Sequence, residues 1–210
     1  MIGLCGAHRC GKTTLAREYA DRNHVPFVET SVSAIFRELG YDPAVTYDFE
    51  TRMTIQEEIL VRIDKRLGEF AGTEFITDRT PIDMAAYLLA EAVGDSVPDL
   101  VQYRVERYVA ACFGVTNRRF GVIVLVQPGI QLVHEEGKAA MNTAYIEHLN
   151  SLMLGLSCDE RLHSANFYLP RATTDLGRRI KALEASVARS KQAVSNDFEH
   201  RKAQGDFNLH

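Results

Sequence analysis

The chain has no tryptophan, only six prolines and four cysteines among 210 residues, and no long apolar run. Because the cysteines lie far apart and form no C-x-x-C pair, they are expected to be reduced thiols, and a fold held by disulfides is excluded. No segment approaches membrane-spanning length, and no charged start precedes an apolar signal region. A cytoplasmic protein without a membrane partner is therefore expected.

The chain also lacks an excess of positive charge. It carries 28 acidic residues against 24 lysines and arginines, for a net charge of −4. This balance gives no global electrostatic attraction to nucleic acid, but it does not exclude a local basic groove. The hydrophobic share of 46% is ordinary for a globular domain. We expect one domain over residues 1–194, followed by a polar tail over residues 195–210.

One glycine-rich segment, residues 6–13, has the sequence Gly-Ala-His-Arg-Cys-Gly-Lys-Thr. It matches the phosphate-binding pattern G-x-x-x-x-G-K-[ST], and it lies between an apolar strand-like run and a helix-like segment. In this context the backbone N–H groups and the helix N-terminus face phosphate oxygens. We call residues 6–13 the phosphate loop. The ATP-binding residues predicted here are Gly6, His8, Arg9, Cys10, Gly11, Lys12, Thr13 and Thr14, with Lys12 on the β/γ-phosphates and Thr13 on Mg²⁺.

Strand-like and helix-like segments alternate along the rest of the chain, which is typical of an α/β fold with a parallel sheet covered by helices. Strands are predicted at residues 1–5, 25–29, 74–77, 121–127 and 166–169. Helices are predicted at about residues 14–23, 32–39, 48–70, 80–93, 98–113, 138–156 and 173–194. The helix after residue 79 has Thr80 as N-cap, Pro81 at its first position and Asp83 to complete a capping box.

Two charged residues, Asp78 and Arg79, follow the third predicted strand. Ligands of open α/β sheets bind beyond the carboxyl ends of the strands, where the phosphate loop also lies. Asp78 is predicted either to help hold Mg²⁺ or to accept the proton of an attacking hydroxyl. Arg79 is predicted to clamp the phosphate or the 5′ oxygen of an acceptor. The alternative is a surface ion pair.

Substrate contacts are expected from the helix over residues 48–70, part of an acceptor-binding region at about 31–70. Gln56 interrupts its apolar stripe, so its amide either reads a bound base or bonds to a carbonyl or buried water. Arg52 borders the same position. Arg104 and Arg107 share a face of a later helix and either neutralise phosphate or lie in solvent.

Two further cations follow the last two strands. Lys138 lies in a possible lid at about residues 130–145, and a solvated loop is the alternative. Arg171 follows the fifth predicted strand, where an adenine ring would rest on its guanidinium plane. A separate hypothesis concerns Cys10, which lies near Lys12 and a helix N-terminus and is therefore expected to alkylate faster than the other cysteines.

The motifs resemble those of P-loop nucleoside and nucleotide kinases. Residues 6–16 are similar to the phosphate loop of nicotinamide-riboside-kinase-like ATPases, whose relatives include kinases of bacterial viruses. Residues 78–83 resemble the D-R-[ST] motif of thymidylate and other deoxynucleoside monophosphate kinases. The resemblance implies a three-layer fold with a five-stranded parallel sheet of order 2-3-1-4-5, helices on both faces and a mobile lid. It also implies ATP and Mg²⁺ as cofactors.

The resemblance is incomplete at the lid. Lids of this group carry arginines, whereas residues 135–145 contain only Lys138 as a cation. Arg104, Arg107 or Arg119 is therefore expected to supply the missing charge at the transferred phosphate.

These motifs are compatible with three alternative functions. The first is an ATP-dependent kinase of a nucleoside or nucleotide, above all a deoxynucleoside monophosphate. The second is a kinase of a hydroxymethylated base within DNA, with DNA as the acceptor. The third is a nucleotide-gated ATPase or switch. A monomer or a homodimer is compatible with each.

Overall fold

The computed structural model describes residues 1–42, 45–92, 97, 99–133 and 141–204, without the side chains of residues 100 and 197–204. Within these ranges the chain forms one four-stranded parallel sheet of order β2-β1-β3-β4. The strands are β1 (Ile2–Cys5), β2 (Ile76–Thr77), β3 (Val122–Val126) and β4 (Ala165–Leu169). The helices are α1 (Lys12–Asn23), α2 (Val32–Glu38), α3 (Phe49–Gly68), α4 (Pro81–Glu91), α5 (Asp99–Arg119), α6 (Thr143–Ser157) and α7 (Leu176–Gln204).

Strand β3, one of the two central strands, shows why helices cover both faces of the sheet. All five of its residues are buried, as its uninterrupted apolar sequence predicts. Val122, Val124 and Val126 face the core beneath α1 and α7. Ile123 and Leu125 face the larger core, to which α2 to α6 contribute. This alternation follows from the two-residue period of a strand and produces the predicted three layers.

The sheet differs from the prediction in one strand, because four strands are formed in the described residues rather than five. The predicted strand over residues 25–29 reduces to a single parallel bridge between Phe27 and Ile76. Pro26 accepts a hydrogen bond from Ile76 but has no N–H to donate. The N–H of Val25 is already bonded to Ala20 at the end of α1. The four strands present keep their predicted relative order.

The observed helix boundaries agree best with the predicted ones where the sequence carries a capping motif. The capping box of Thr80 and Asp83 is formed, with Pro81 at the start of α4. Other ends differ from the prediction: α5 continues to Arg119, and α7 continues to Gln204 into the predicted tail. In the described parts of the chain, no helix is long and apolar enough to cross a membrane.

Candidate active site

Because the sheet is parallel, its strands all end at the same edge, where their following segments meet. The phosphate loop follows β1, Asp78 and Arg79 follow β2, and residues 127–133 follow β3. A cavity of about 290 Å³ lies between these three segments and is lined by residues of each. The structure therefore brings Lys12 and Thr13 together with Asp78 and Arg79, two motifs that lie far apart in the chain.

The phosphate loop has the backbone that its glycines permit. Gly6 has a φ of +150° and Gly11 a φ of +82°, values that residues with side chains rarely adopt. A Cβ at position 6 would also lie 2.5 Å from the carbonyl oxygen of Val126. The loop can therefore curl closely over the end of β3 only with glycine at this position.

Lys12 lies inside the loop rather than in solvent. Its ammonium donates to the carbonyl oxygens of Gly6, at 2.6 Å, and of Ala7, at 2.8 Å. It is also 3.9 Å from a carboxylate oxygen of Asp83. The side chain is 7% exposed, so its charge acts at the floor of the cavity with little screening by water.

Asp83 does more than complete the capping box. It is fully buried, and one carboxylate oxygen accepts the N–H of Gly6 at 3.0 Å while the other accepts both the N–H and the hydroxyl of Thr80. Burial raises the pKa of this carboxyl, and the charge of Lys12 opposes that rise. Sequence reasoning found the cap but missed the contact with the loop, because no local pattern encodes a bond to Gly6.

The hydroxyl of Thr13 donates to a carboxylate oxygen of Asp78 at 2.5 Å. The other oxygen of Asp78 is buried and accepts no hydrogen bond from the described residues. A hydroxyl and a carboxylate are hard oxygen ligands of the kind that Mg²⁺ prefers. The described residues contain no cluster of three or more metal-ligating side chains. The donor set thus suits a cation that takes its remaining ligands from water and phosphate.

Arg79 and His8, which line the loop cavity, pack against two tyrosines, Tyr87 and Tyr145, that do not line it themselves. The guanidinium carbon of Arg79 lies 5.5 Å from the ring centre of Tyr87, and Arg79 forms no ion pair with the described residues. The Tyr87 hydroxyl accepts the N–H of His8 at 3.1 Å, and the His8 ring lies 5.9 Å from that of Tyr145. Burial raises the pKa of Tyr87. Sequence reasoning missed both tyrosines.

A second cavity, of about 250 Å³, adjoins the first and shares His8 and Arg9 with it. Arg171 lines it and is held by a two-pronged ion pair with Glu147 of α6. Gly129 lies so close to the backbone of Arg171 that a Cβ would come within 2.1 Å of its carbonyl oxygen. The segments after β3 and β4 are thereby packed together around this cavity.

Gln56 and Arg52 line neither cavity of the phosphate loop. The buried Oε1 of Gln56 accepts a hydrogen bond from the Tyr108 hydroxyl at 3.3 Å, a partner that had not been predicted. Arg52 forms an ion pair with Glu91 at 2.6 Å. Recognition of a base by Gln56 stays a prediction.

The arginines of α5 are also placed away from the loop cavities. Arg104 pairs with Glu57, and with Arg107 it lines a separate groove between α3 and α5. Arg119 pairs with Asp64 and immediately precedes β3, so it lies at the amino ends of the strands, opposite the phosphate loop. The structure thus contradicts Arg119 as the cation at the transferred phosphate. Lys138 and the rest of residues 134–140, the middle of the possible lid, lie outside the described residues.

The burial of the cysteines contradicts the expected reactivity of Cys10. Its side chain is 1% exposed, and its sulfur donates to the carbonyl oxygen of Ala7 at 3.0 Å. Burial raises the pKa values of the Cys5 and Cys112 thiols, whereas Cys158 is exposed. Reactivity requires an accessible thiolate, so Cys158 replaces Cys10 as the most reactive position.

We expect iodoacetamide to label Cys158 first in the folded protein, because its sulfur alone of the four is exposed. Cys10 should be labelled only after denaturation, with or without ATP. Peptide mapping after timed alkylation measures both. A Cys158→Ser variant, which should take up almost no label, serves as the matched control. Early labelling of Cys10 would show that the phosphate loop opens in solution.

Comparison with known proteins agrees with this geometry. The family model described as "AAA domain" matches residues 1–153. The structure of deoxyadenosine kinase from M. mycoides with bound dCTP has 15% identity and a TM-score of 0.63, covering 90% of this chain and 98% of that one. No match is found among curated proteins.

Two other solved structures show the same fold. Thymidylate kinase from Candida albicans has 13% identity and a TM-score of 0.61, covering 90% of this chain and 91% of that one. NadR protein, solved in complex with NAD and AMP-PNP, has 15% identity and a TM-score of 0.59, covering 88% of this chain and 48% of that one. These likenesses confirm the predicted P-loop kinase fold.

Proposed function

This chain belongs to the AAA domain family, and on that premise we propose that it is an ATP-dependent kinase of a nucleoside or nucleotide. The observation that carries the proposal is the contact between Thr13 of the phosphate loop and Asp78 at the end of β2. It joins the motif that binds phosphate to the motif that is expected to meet an acceptor. Arg79, next in the chain, lines the same cavity without an ion pair in the described residues.

ATP and Mg²⁺ fit the residues of this cavity. Lys12 and the N–H groups of the phosphate loop would bind the β- and γ-phosphates, and Thr13 and Asp78 would hold the cation directly or through water. Bound Mg²⁺ supplies charge neutralisation at the phosphate oxygens. The second cavity, with Arg171 on its wall, is the place we propose for the adenine ring, since it opens from the loop beside His8 and Arg9.

In the proposed reaction, Arg79 and Asp78 have different roles toward the acceptor. We expect the guanidinium of Arg79, which lines the loop cavity, to bind an anionic or 5′ oxygen of the acceptor in the plane of its donors. One carboxylate oxygen of Asp78 accepts no hydrogen bond from the part of the chain that the structure describes, which suits it either to hold a metal-bound water or to take the hydroxyl proton. A deoxynucleoside monophosphate, with a phosphate as the reacting group, uses both residues and is the acceptor we favour.

The nature of the acceptor is tested by a panel assayed for ADP formation and for labelled product. The panel contains nucleosides, deoxynucleoside monophosphates and duplex oligomers with hydroxymethylated bases. ADP release that depends on a monophosphate supports the favoured function. Transfer to DNA that falls steeply with salt would indicate the DNA kinase instead. ATP hydrolysis unaffected by any acceptor would indicate a switch or ATPase and contradict the proposal.

Replacement of Arg79 also tests whether the acceptor carries a phosphate. With a monophosphate acceptor, we expect Arg79→Ala to raise the acceptor KM by roughly tenfold or more, because a charge-assisted clamp is lost. The KM for ATP should change little. Arg178→Ala, which removes an exposed arginine of α7, is the control. An unchanged acceptor KM with a reduced kcat would show that Arg79 acts on the reaction step and not as a phosphate clamp.

A further inference from the structure

A buried arginine of the last helix, Arg179, contacts the phosphate loop at Cys10 and Gly11. Its Nη1 donates to the carbonyl oxygen of Cys10 at 2.8 Å, and its Nε donates to that of Thr173 at 2.7 Å. The residue is 2% exposed. A Cβ at Gly11 would lie 3.1 Å from Nη1, so the guanidinium packs directly against the loop. No sequence motif indicated this residue.

The charge of Arg179 has no local counterpart. It forms no ion pair with the carboxylates of the described residues, and its Nη2 is buried without an acceptor. Burial lowers the pKa of the guanidinium, although an arginine side chain stays charged in proteins. A buried cation is costly unless it is compensated, and phosphate groups bound on the loop would compensate it.

The bond to Cys10 also fixes the direction of a peptide unit. In a trans peptide, the carbonyl oxygen of one residue and the N–H of the next point in opposite directions. With the Cys10 carbonyl held on Arg179, the N–H of Gly11 must point away from the guanidinium. Gly11 lines the loop cavity, and an N–H group turned away from the guanidinium can donate to phosphates bound in that cavity.

We propose that Arg179 is a positioning residue for the nucleotide. It ties the Cys10–Gly11 peptide of the phosphate loop to Thr173 in the segment before α7, and it adds an uncompensated positive charge beneath the loop. The inference rests on the proposed function, because it requires that the loop binds nucleotide phosphate. The planar fork matters as well as the charge, since a single ammonium cannot donate in both directions with the same geometry.

The test is titration of a fluorescent ADP analogue with Mg²⁺ into the wild type and three variants. Arg179→Gln removes the charge, Arg179→Lys keeps the charge but not the fork, and Arg178→Gln removes a neighbouring exposed charge. We expect Arg179→Gln to raise Kd by about 10- to 100-fold and Arg179→Lys to raise it by a smaller factor. Arg178→Gln should leave Kd unchanged. The number of binding sites per chain is fitted in each titration.

The fitted parameters separate positioning from mere stability. Loss of folded protein lowers the number of sites and leaves Kd unchanged, whereas misplacement of the loop raises Kd at a constant number of sites. If Arg179→Gln does not fold, Arg179→Lys decides by the same criterion. A Kd within about twofold of the wild type in the folded Arg179 variants would overturn the inference. A wild type that binds no nucleotide would instead overturn the proposed function.

Discussion

Replacement of Lys12 by alanine is expected to lower the rate of phosphate transfer by about 10²–10³-fold, the scale for losing one preorganised group that stabilises developing charge. Affinity for ATP should fall as well. The structure gives the reason, because the ammonium lies at the cavity floor, 2.6 Å and 2.8 Å from two loop carbonyls and shielded from solvent. No other lysine lines the loop cavity in the described part of the chain. Steady-state rates at varied ATP concentration measure the effect.

A control is needed because Lys12 also faces the buried carboxylate of Asp83. Its loss removes a compensating charge, so the variant's melting temperature must be measured beside its rate. Lys65→Ala, which removes an exposed lysine of α3, should affect neither quantity. Near-normal turnover in folded Lys12→Ala would contradict the assignment of the loop as the ATP site.

Asp78→Asn should fold normally and transfer phosphate at least ~100-fold more slowly, as expected for loss of an acid–base or metal-positioning group. Asparagine keeps the shape of the side chain and can still accept the Thr13 hydroxyl, so the contact across the site survives. What is lost is the negative charge, including that on the buried oxygen to which no described residue donates a hydrogen bond. An unchanged dependence of the rate on Mg²⁺ concentration would locate the loss at proton transfer, whereas a shift to higher Mg²⁺ would locate it at the metal.

Asp21→Asn is the matched control for this variant, because Asp21 is an exposed carboxylate on α1. It should retain the wild-type rate and melting temperature. If Asp78→Asn loses activity only in proportion to a loss of folded protein, then Asp78 is a structural residue. Thermal melting and kinetics on the same preparation distinguish these outcomes.

Much of the fold could be predicted because its signals are local. The apolar run of β3 specifies a strand buried on both faces, and Thr80, Pro81 and Asp83 specify the start of α4. The strand predicted at residues 25–29 was wrong because pairing is a tertiary property. Its β-like composition could not reveal that Pro26 and the neighbouring N–H groups would leave a single bridge.

The site was predictable where its residues belong to sequence motifs. Lys12, Thr13, Asp78 and Arg79 follow from motifs and from the rule that ligands bind at the carboxyl ends of strands. The residues that support them could not be found in this way. Arg179 lies 169 positions from Cys10, and such a contact leaves no periodic or compositional trace in one sequence.

The double role of Asp83 bears on how the loop opens. Its two carboxylate oxygens are committed to different elements, one to the amide of Gly6 and one to the cap of α4. Breaking the bond from the Gly6 N–H leaves a buried carboxylate oxygen of Asp83 without that donor and disturbs the start of α4. We therefore expect opening of the phosphate loop to be coupled to opening of the start of α4, so that the Gly6 amide exchanges with solvent more slowly than amides of the exposed loops.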